Sequence, residues 1–135
     1  MPYSDVYEHS LVAQADAIDE NGHVNNVAYV RWMQDAATAH SGSVGATRAV
    51  VREGATWVVR SHRIEYLRPV MESDRLTVQT WIEDVENVRS TRRYRFIRDR
   101  DDREVARGET LWVCVDASTG RPSSIPLSVL ECFKS

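Results

Sequence analysis

The chain has 135 residues, which suits one domain with a real core and is too short for two comfortable ones. With 42% apolar and 27% charged residues it has the balance of an ordinary globular protein, and a net charge of −3 excludes a general basic field for nucleic acid or anionic lipid. No apolar run approaches the roughly 20 residues of a membrane span. The opening MPYSDVYEHS has neither a charged nor an apolar leader region. Cys114 and Cys132 stand far apart, in no metal spacing, and read as reduced thiols. Together these features predict a cytoplasmic protein that meets neither membrane nor nucleic acid.

In chain order, VYEHSLVAQ (6–14) predicts a first strand and residues 15–24 a polar loop. From Asn25 to about Ser41, Val27, Val30, Met33 and Ala37, and with them Tyr29, Trp32 and Ala36, recur at three- and four-residue steps. That is a helical period. Such a helix is about 25 Å long at about 1.5 Å per residue. Its near-continuous apolar character predicts burial on more than one side. Gly42 and Gly45 are the expected terminators.

The period then changes to two. Strands are predicted over 55–69, 74–86, 88–100 and 103–116, with tight hairpin turns near 86–88 and 98–103. ASTGRPSSIP reads as a closing loop, and LSVLECF (127–133) as a short strand or a last helical turn. The order strand, long helix, antiparallel meander defines an α+β chain, a sheet of five or six strands wrapped around one central helix. Its free sheet edges call for capping or self-association. No internal repeat or low-complexity segment divides the chain, so residues 1–135 read as one domain.

The most unusual run is DENGHVNNVAYVRW, Asp19 to Trp32. A calcium loop over 17–28 fails because Ala17 and Ala28 occupy positions that need acids. Zinc fails because His23 and Asp19 have no third ligand at metal spacing. A helix cap accounts for Asn25 or Asn26, and a left-handed turn for Gly22. Neither accounts for Asp19, Asn21 and His23 together. A helix N-terminus presents unpaired N–H groups and about half a positive charge, and so can polarise a carbonyl. An acid just upstream can attack that carbonyl or activate a water beside it. This is a layout for acyl transfer or hydrolysis, and the absence of GxSxG argues against a serine hydrolase.

That run resembles the signature of hot dog fold thioesterases of the 4-hydroxybenzoyl-CoA thioesterase superfamily. There an Asp stands three residues before a Gly at the start of the long helix, as Asp19 and Gly22 do. Asp19, Asn21, His23, Val24, Asn25, Asn26 and Tyr29 also fit the D-x-N-x-HVNN-x-x-Y form of acyl-carrier-protein thioesterases. IEYLRPV (64–70), LTVQTWIEDV (76–85) and GETLWVCVDASTGRPSSIP (108–126) extend the likeness over residues 6–133.

The resemblance implies a thioester hydrolase needing no cofactor. Asp19 would be its nucleophile or general base, the N–H near Asn26 would polarise the carbonyl, and His23 and Asn21 would assist. Gly22, Val24, Asn25 and Tyr29 would line the substrate site. Arg89 and Ser90, within the run Arg89–Arg93, would meet the CoA phosphates, although the plainer reading of that run is a solvated strand face. The carrier-protein enzymes usually carry two such domains in tandem. One domain per chain therefore implies acyl-CoA as substrate ahead of acyl-carrier protein, with paired sites in a homodimer or homotetramer. A hot dog hydratase is a weaker match, because its Asp and His stand five apart and here they are four apart. A non-catalytic acyl-CoA binder leaves Asp19 without a purpose.

Overall fold

A computed structural model describes residues 2–134. The strands are β1 (Tyr7–Val12), β2 (Ala55–Tyr66), β3 (Arg75–Glu86), β4 (Arg89–Arg98) and β5 (Arg103–Asp116); the helices are α1 (Asn26–Ser43), α2 (Ala46–Arg52) and α3 (Leu127–Phe133). The five strands form one sheet in the order β1-β3-β4-β5-β2, antiparallel throughout.

The two-residue period decides which side of the sheet is dry. In β4, Ser90, Arg92, Tyr94, Phe96 and Arg98 are buried while Arg89, Arg93 and Arg95 are exposed. In β3, Leu76, Val78, Thr80 and Ile82 are buried in the same way. The helical period matches this inner face. Ala28, Tyr29, Trp32, Met33, Ala36, Ala37 and His40 form the buried stripe of α1, laid across the sheet. Phe96, Leu76 and Met33 are wholly buried between the two layers. Each such side chain contributes about 1.5–3 kcal/mol relative to leaving it in water. Helix and sheet approach closely at Gly108, where an added Cβ would come within 3.0 Å of the Met33 methyl. Register shifts in the β2–β5, β3–β4 and β4–β5 ladders supply the bend that curves the sheet over the helix.

Two expectations change. Within one chain α1 is buried on one side only; Val27, Arg31, Gln34, Asp35 and Thr38 face outward. Gly42 does not stop the helix. Gly45, left-handed at φ +83° just past the Val44 cap, ends α1 as expected and also begins a second short helix, α2, with Ala46, Ala49 and Val50 buried at helical spacing. Of the strand and helix expected as alternatives for 127–133 the structure shows the helix, and Val129 and Phe133 pack with Ala46, Ala49, Val50 and Ile82 in a second core cluster between α2, α3 and β3. The hairpins fall where expected, the β3–β4 turn on Asn87 and the β4–β5 turn ending on Asp102, both at positive φ. Cys114 and Cys132 are unpaired thiols. Among the described residues no helix is long and apolar enough to cross a membrane.

Candidate active site

Between β1 and α1 the chain makes one 3₁₀ turn, Ala15–Ala17, and then a tight polar turn. Asp19 N–H donates to His23 O at 2.8 Å, Gly22 N–H donates to Asp19 O at 3.0 Å, and Ile18 bridges Val24. The Asp19 carboxylate folds back into this turn. Its Oδ1 accepts from Asn21 N–H at 2.9 Å and His23 N–H at 3.2 Å. Gly22 takes φ +77°, a conformation cheap only without a Cβ.

The turn is moored on its far side. Val24 N–H donates to Val70 O and Asn25 N–H to Ala17 O, each at 2.8 Å. Asn25 then caps α1, its Oδ1 accepting from Ala28 N–H at 2.9 Å. That leaves Asn26 and Val27 N–H at the helix end, without intrahelical partners.

The structure therefore brings Asp19, Asn21, Gly22 and His23 into one hydrogen-bonded turn and sets it directly before the capped helix. Asp19, Asn21, Gly22 and Asn26 are exposed, and His23 and Asn25 are half-buried. Val24 is buried. Tyr29 is buried edge-on to Trp32, Tyr66 and Phe96. Burial, with the neighbouring Tyr66, pushes the Tyr29 phenol up to about 12, against a smaller opposing effect of Arg98. Among the described residues no side-chain hydrogen bond joins Asp19 or His23 to Asn25 or Asn26.

Arg89 and Ser90 lie elsewhere. Arg89 is exposed beside Glu86 at 3.5 Å, whereas Ser90 points inward. Ser90 lines a cleft of about 290 Å³ whose helix wall, Ala37, Thr38 and Ser41, begins about 17 Å along α1 from Asn26.

Arg92, one of the run Arg89–Arg93, also lines that cleft and heads a polar cluster whose other members, His40 and Thr80, were not singled out from the sequence. Arg92 is buried, and its Nη1 donates to His40 Nδ1 at 2.9 Å and to Thr80 Oγ1 at 3.1 Å. Because a guanidinium only donates, His40 Nδ1 is the acceptor and its ring proton sits on Nε2. Burial, reinforced by Arg92, lowers the His40 imidazole to about 4, with Asp5 opposing. Burial likewise lowers Arg92 to about 10, still cationic at neutral pH. His40 is stacked on Tyr7 and lies edge-on to Phe133, both centroids at 5.1 Å. The signal for Arg92 was present in RSTRRYRFIR. A two-residue period anchored on Tyr94 and Phe96 turns Arg92 inward, so the solvated-face reading fails at that residue.

A curved antiparallel sheet of order β1-β3-β4-β5-β2 laid over one long helix, with a polar turn at that helix's start, defines a hot dog fold protein. The family model that matches residues 12–133 is the thioesterase-like superfamily. The chain belongs to that superfamily, and with its relatives this places it among the thioester hydrolases. It is 28% identical over 120 residues to the acyl-CoA thioester hydrolase YbgC of Escherichia coli, covering 86% of this chain and 87% of that one. Two solved structures share the fold. Slr0204 of Synechocystis, a 1,4-dihydroxy-2-naphthoyl-CoA thioesterase, has a TM-score of 0.86 at 16% identity, over 96% of both chains. SAV2348 of Staphylococcus aureus, solved in complex with CoA, has a TM-score of 0.86 at 19% identity, over 98% of this chain and 83% of that one.

Proposed function

We propose that the protein is an acyl-CoA thioesterase that hydrolyses its substrate to a free acid and CoA, with Asp19 as nucleophile or general base. One observation carries the reading. A carboxylate-bearing turn runs without a break into the capped N-terminus of α1, in a chain of the thioesterase-like superfamily. The thioester carbonyl sits against the Asn26 N–H, whose positive end stabilises the oxyanion as it develops. As general base, Asp19 takes a proton from water while the water oxygen bonds to the carbonyl carbon. The C–S bond then breaks and the thiolate of CoA leaves with that proton. As nucleophile, a carboxylate oxygen bonds to the carbonyl carbon first and the C–S bond breaks to release the CoA thiolate; water then cleaves the resulting anhydride to the free acid and the Asp19 carboxylate, its proton passing to the thiolate.

Asn21 and His23 hold the turn and orient the water. Gly22 gives the backbone room, and Val24, Asn25 and Tyr29 form the adjoining wall. Arg89 meets the CoA phosphates and Ser90 the neighbouring chain of the substrate. Their separation from Asp19 within one chain suits a site shared between two copies of this one-domain protein, working in the cytoplasm.

The test is thiol release from a panel of acyl-CoAs, repeated with Asp19→Asn. The amide keeps an Oδ1 acceptor for Asn21 and His23 N–H, so the turn survives and the loss reports on chemistry. A fall in kcat of at least about 100-fold is expected; unchanged release sinks the role of Asp19. Release from acyl-carrier protein but from no acyl-CoA would move the substrate to the carrier protein.

A further inference from the structure

Arg92 differs from its neighbours on β4. Arg89, Arg93, Arg95 and Arg98 each pair with a carboxylate, whereas Arg92 has none among the described residues. It is also the more deeply buried, at 3% exposure. Its two bonded partners, His40 Nδ1 and Thr80 Oγ1, are neutral and both engage Nη1. A buried guanidinium with no counter-charge is costly unless its remaining donors find an acceptor.

Those donors are Nε and Nη2, the two nitrogens along one edge of the guanidinium. Neither has an acceptor among the described residues. Nor is either a sealed orphan, since the fully enclosed unpartnered polar atoms are Tyr94 Oη and Trp112 Nε1, in a chain where those two side chains adjoin. The free edge of Arg92 is therefore not sealed off, and Arg92 is one of the side chains lining the cleft of about 290 Å³ between α1, α2 and the sheet. Ala37, Val50, Trp57, Ile82 and Phe133 make its walls largely apolar. The volume is at the small end of ligand-sized cavities, roughly 300–1,000 Å³.

We propose that this cleft binds the carboxylate end of an apolar acid, the two carboxylate oxygens accepting side by side from Arg92 Nε and Nη2 while the hydrocarbon lies along the apolar walls. The fork of an arginine edge matches a carboxylate in this bidentate manner. The walls favour a carboxylate on an apolar stem over a bare, fully hydrated anion, which would lose its water shell and gain one cation. The carboxylate has two sources: a free acid, or the far end of the acyl group of a thioester. Binding to the cleft is measured directly, so this assignment stands or falls separately from the role of Asp19.

The experiment is titration calorimetry on the full chain with sodium octanoate, octanol and inorganic phosphate. Octanoate is expected to bind at least 10-fold more tightly than octanol, and phosphate more weakly than octanoate. Arg92→Met should weaken octanoate at least 10-fold and leave octanol unchanged. Thr38→Trp, at an exposed position on the rim, should weaken both without touching the buried cluster. Equal binding of octanoate and octanol, no binding of octanoate, or octanoate binding that survives both variants overturns the proposal. Should Arg92→Met fail to fold, Thr38→Trp and the ligand comparison decide. The source is assigned by thioester hydrolysis. A kcat/KM preference for adipoyl-CoA over hexanoyl-CoA that Arg92→Met abolishes assigns the far end of the substrate. Arg92-dependent octanoate binding without such a preference assigns the free acid.

Discussion

At the scale of single residues, two polar side chains are held by opposite environments. Asp19 is exposed and fixed by two backbone N–H donors. His40 is buried and fixed by a cation, and its burial first, with that cation second, keeps it neutral. The consequence for stability has a definite sign. The imidazole is lowered from 6.5 to about 4 in the folded chain, so between those values the unfolded chain binds the extra proton. The stability associated with neutral His40 is present in full above about pH 6.5 and drains away as pH falls towards 4. The slope is at most about 1.4 kcal/mol per pH unit. Arg92 and Asp5 are the charged groups that act on His40, and they oppose each other. His40→Asn keeps an acceptor for Arg92 but does not titrate. In urea unfolding, the wild type should therefore lose stability relative to His40→Asn between pH 6.5 and 4.5. A constant difference between the two proteins across that range would remove His40 as the acid-sensitive group.

Among the elements, α1 serves both layers of the molecule, its stripe closing the core and its first turn facing the polar loop. The cap separates these roles. Asn25→Ala removes the acceptor of Ala28 N–H and should cost about 1 kcal/mol, while Asn25→Asp should restore most of it, both read from chemical denaturation. If Asn25 also touches substrate, activity will fall in the aspartate variant even where stability recovers.

The elements also explain what the sequence made legible. Long α1 and strands β2 to β5 carry ten or more residues each, enough for the hydrophobic pattern to speak, but the pattern did not show that β2 pairs with β5 rather than β3, so that only β3, β4 and β5 form the expected meander. The second helix has seven residues, and its Ala46, Ala49 and Val50 were masked by the two glycines before it. The polar turn was legible because Asp19, Asn21, Gly22 and His23 are contiguous and need only local hydrogen bonds. The Arg92–His40 contact joins residues 52 positions apart, so its partner could not be named before the layers were stacked, although the inward turn of Arg92 could.

On the scale of the whole molecule, two surfaces are left unmatched. The sheet ends on β1 and β2, and β2 is a 12-residue strand whose outer edge pairs with no strand among the described residues. Val58 on that strand, with Tyr66 and Leu67 at its end, is a large apolar side chain left exposed. On α1, Val27 is 70% exposed on the face turned away from the sheet. An open edge of that length pairs with another chain unless something protects it. A second copy docked along β2 would supply the missing cover of that edge. Light scattering at micromolar concentration should then give twice the 15.4 kDa of the chain, or a multiple of that pair. Val58→Asp should shift the population to the single chain. If Asp19 of one copy works with Arg89 and Ser90 of the other, thiol release should fall with the fraction associated. A fully active monomer would place the whole site within one chain, and would require Arg89 and Ser90 to be dropped from it.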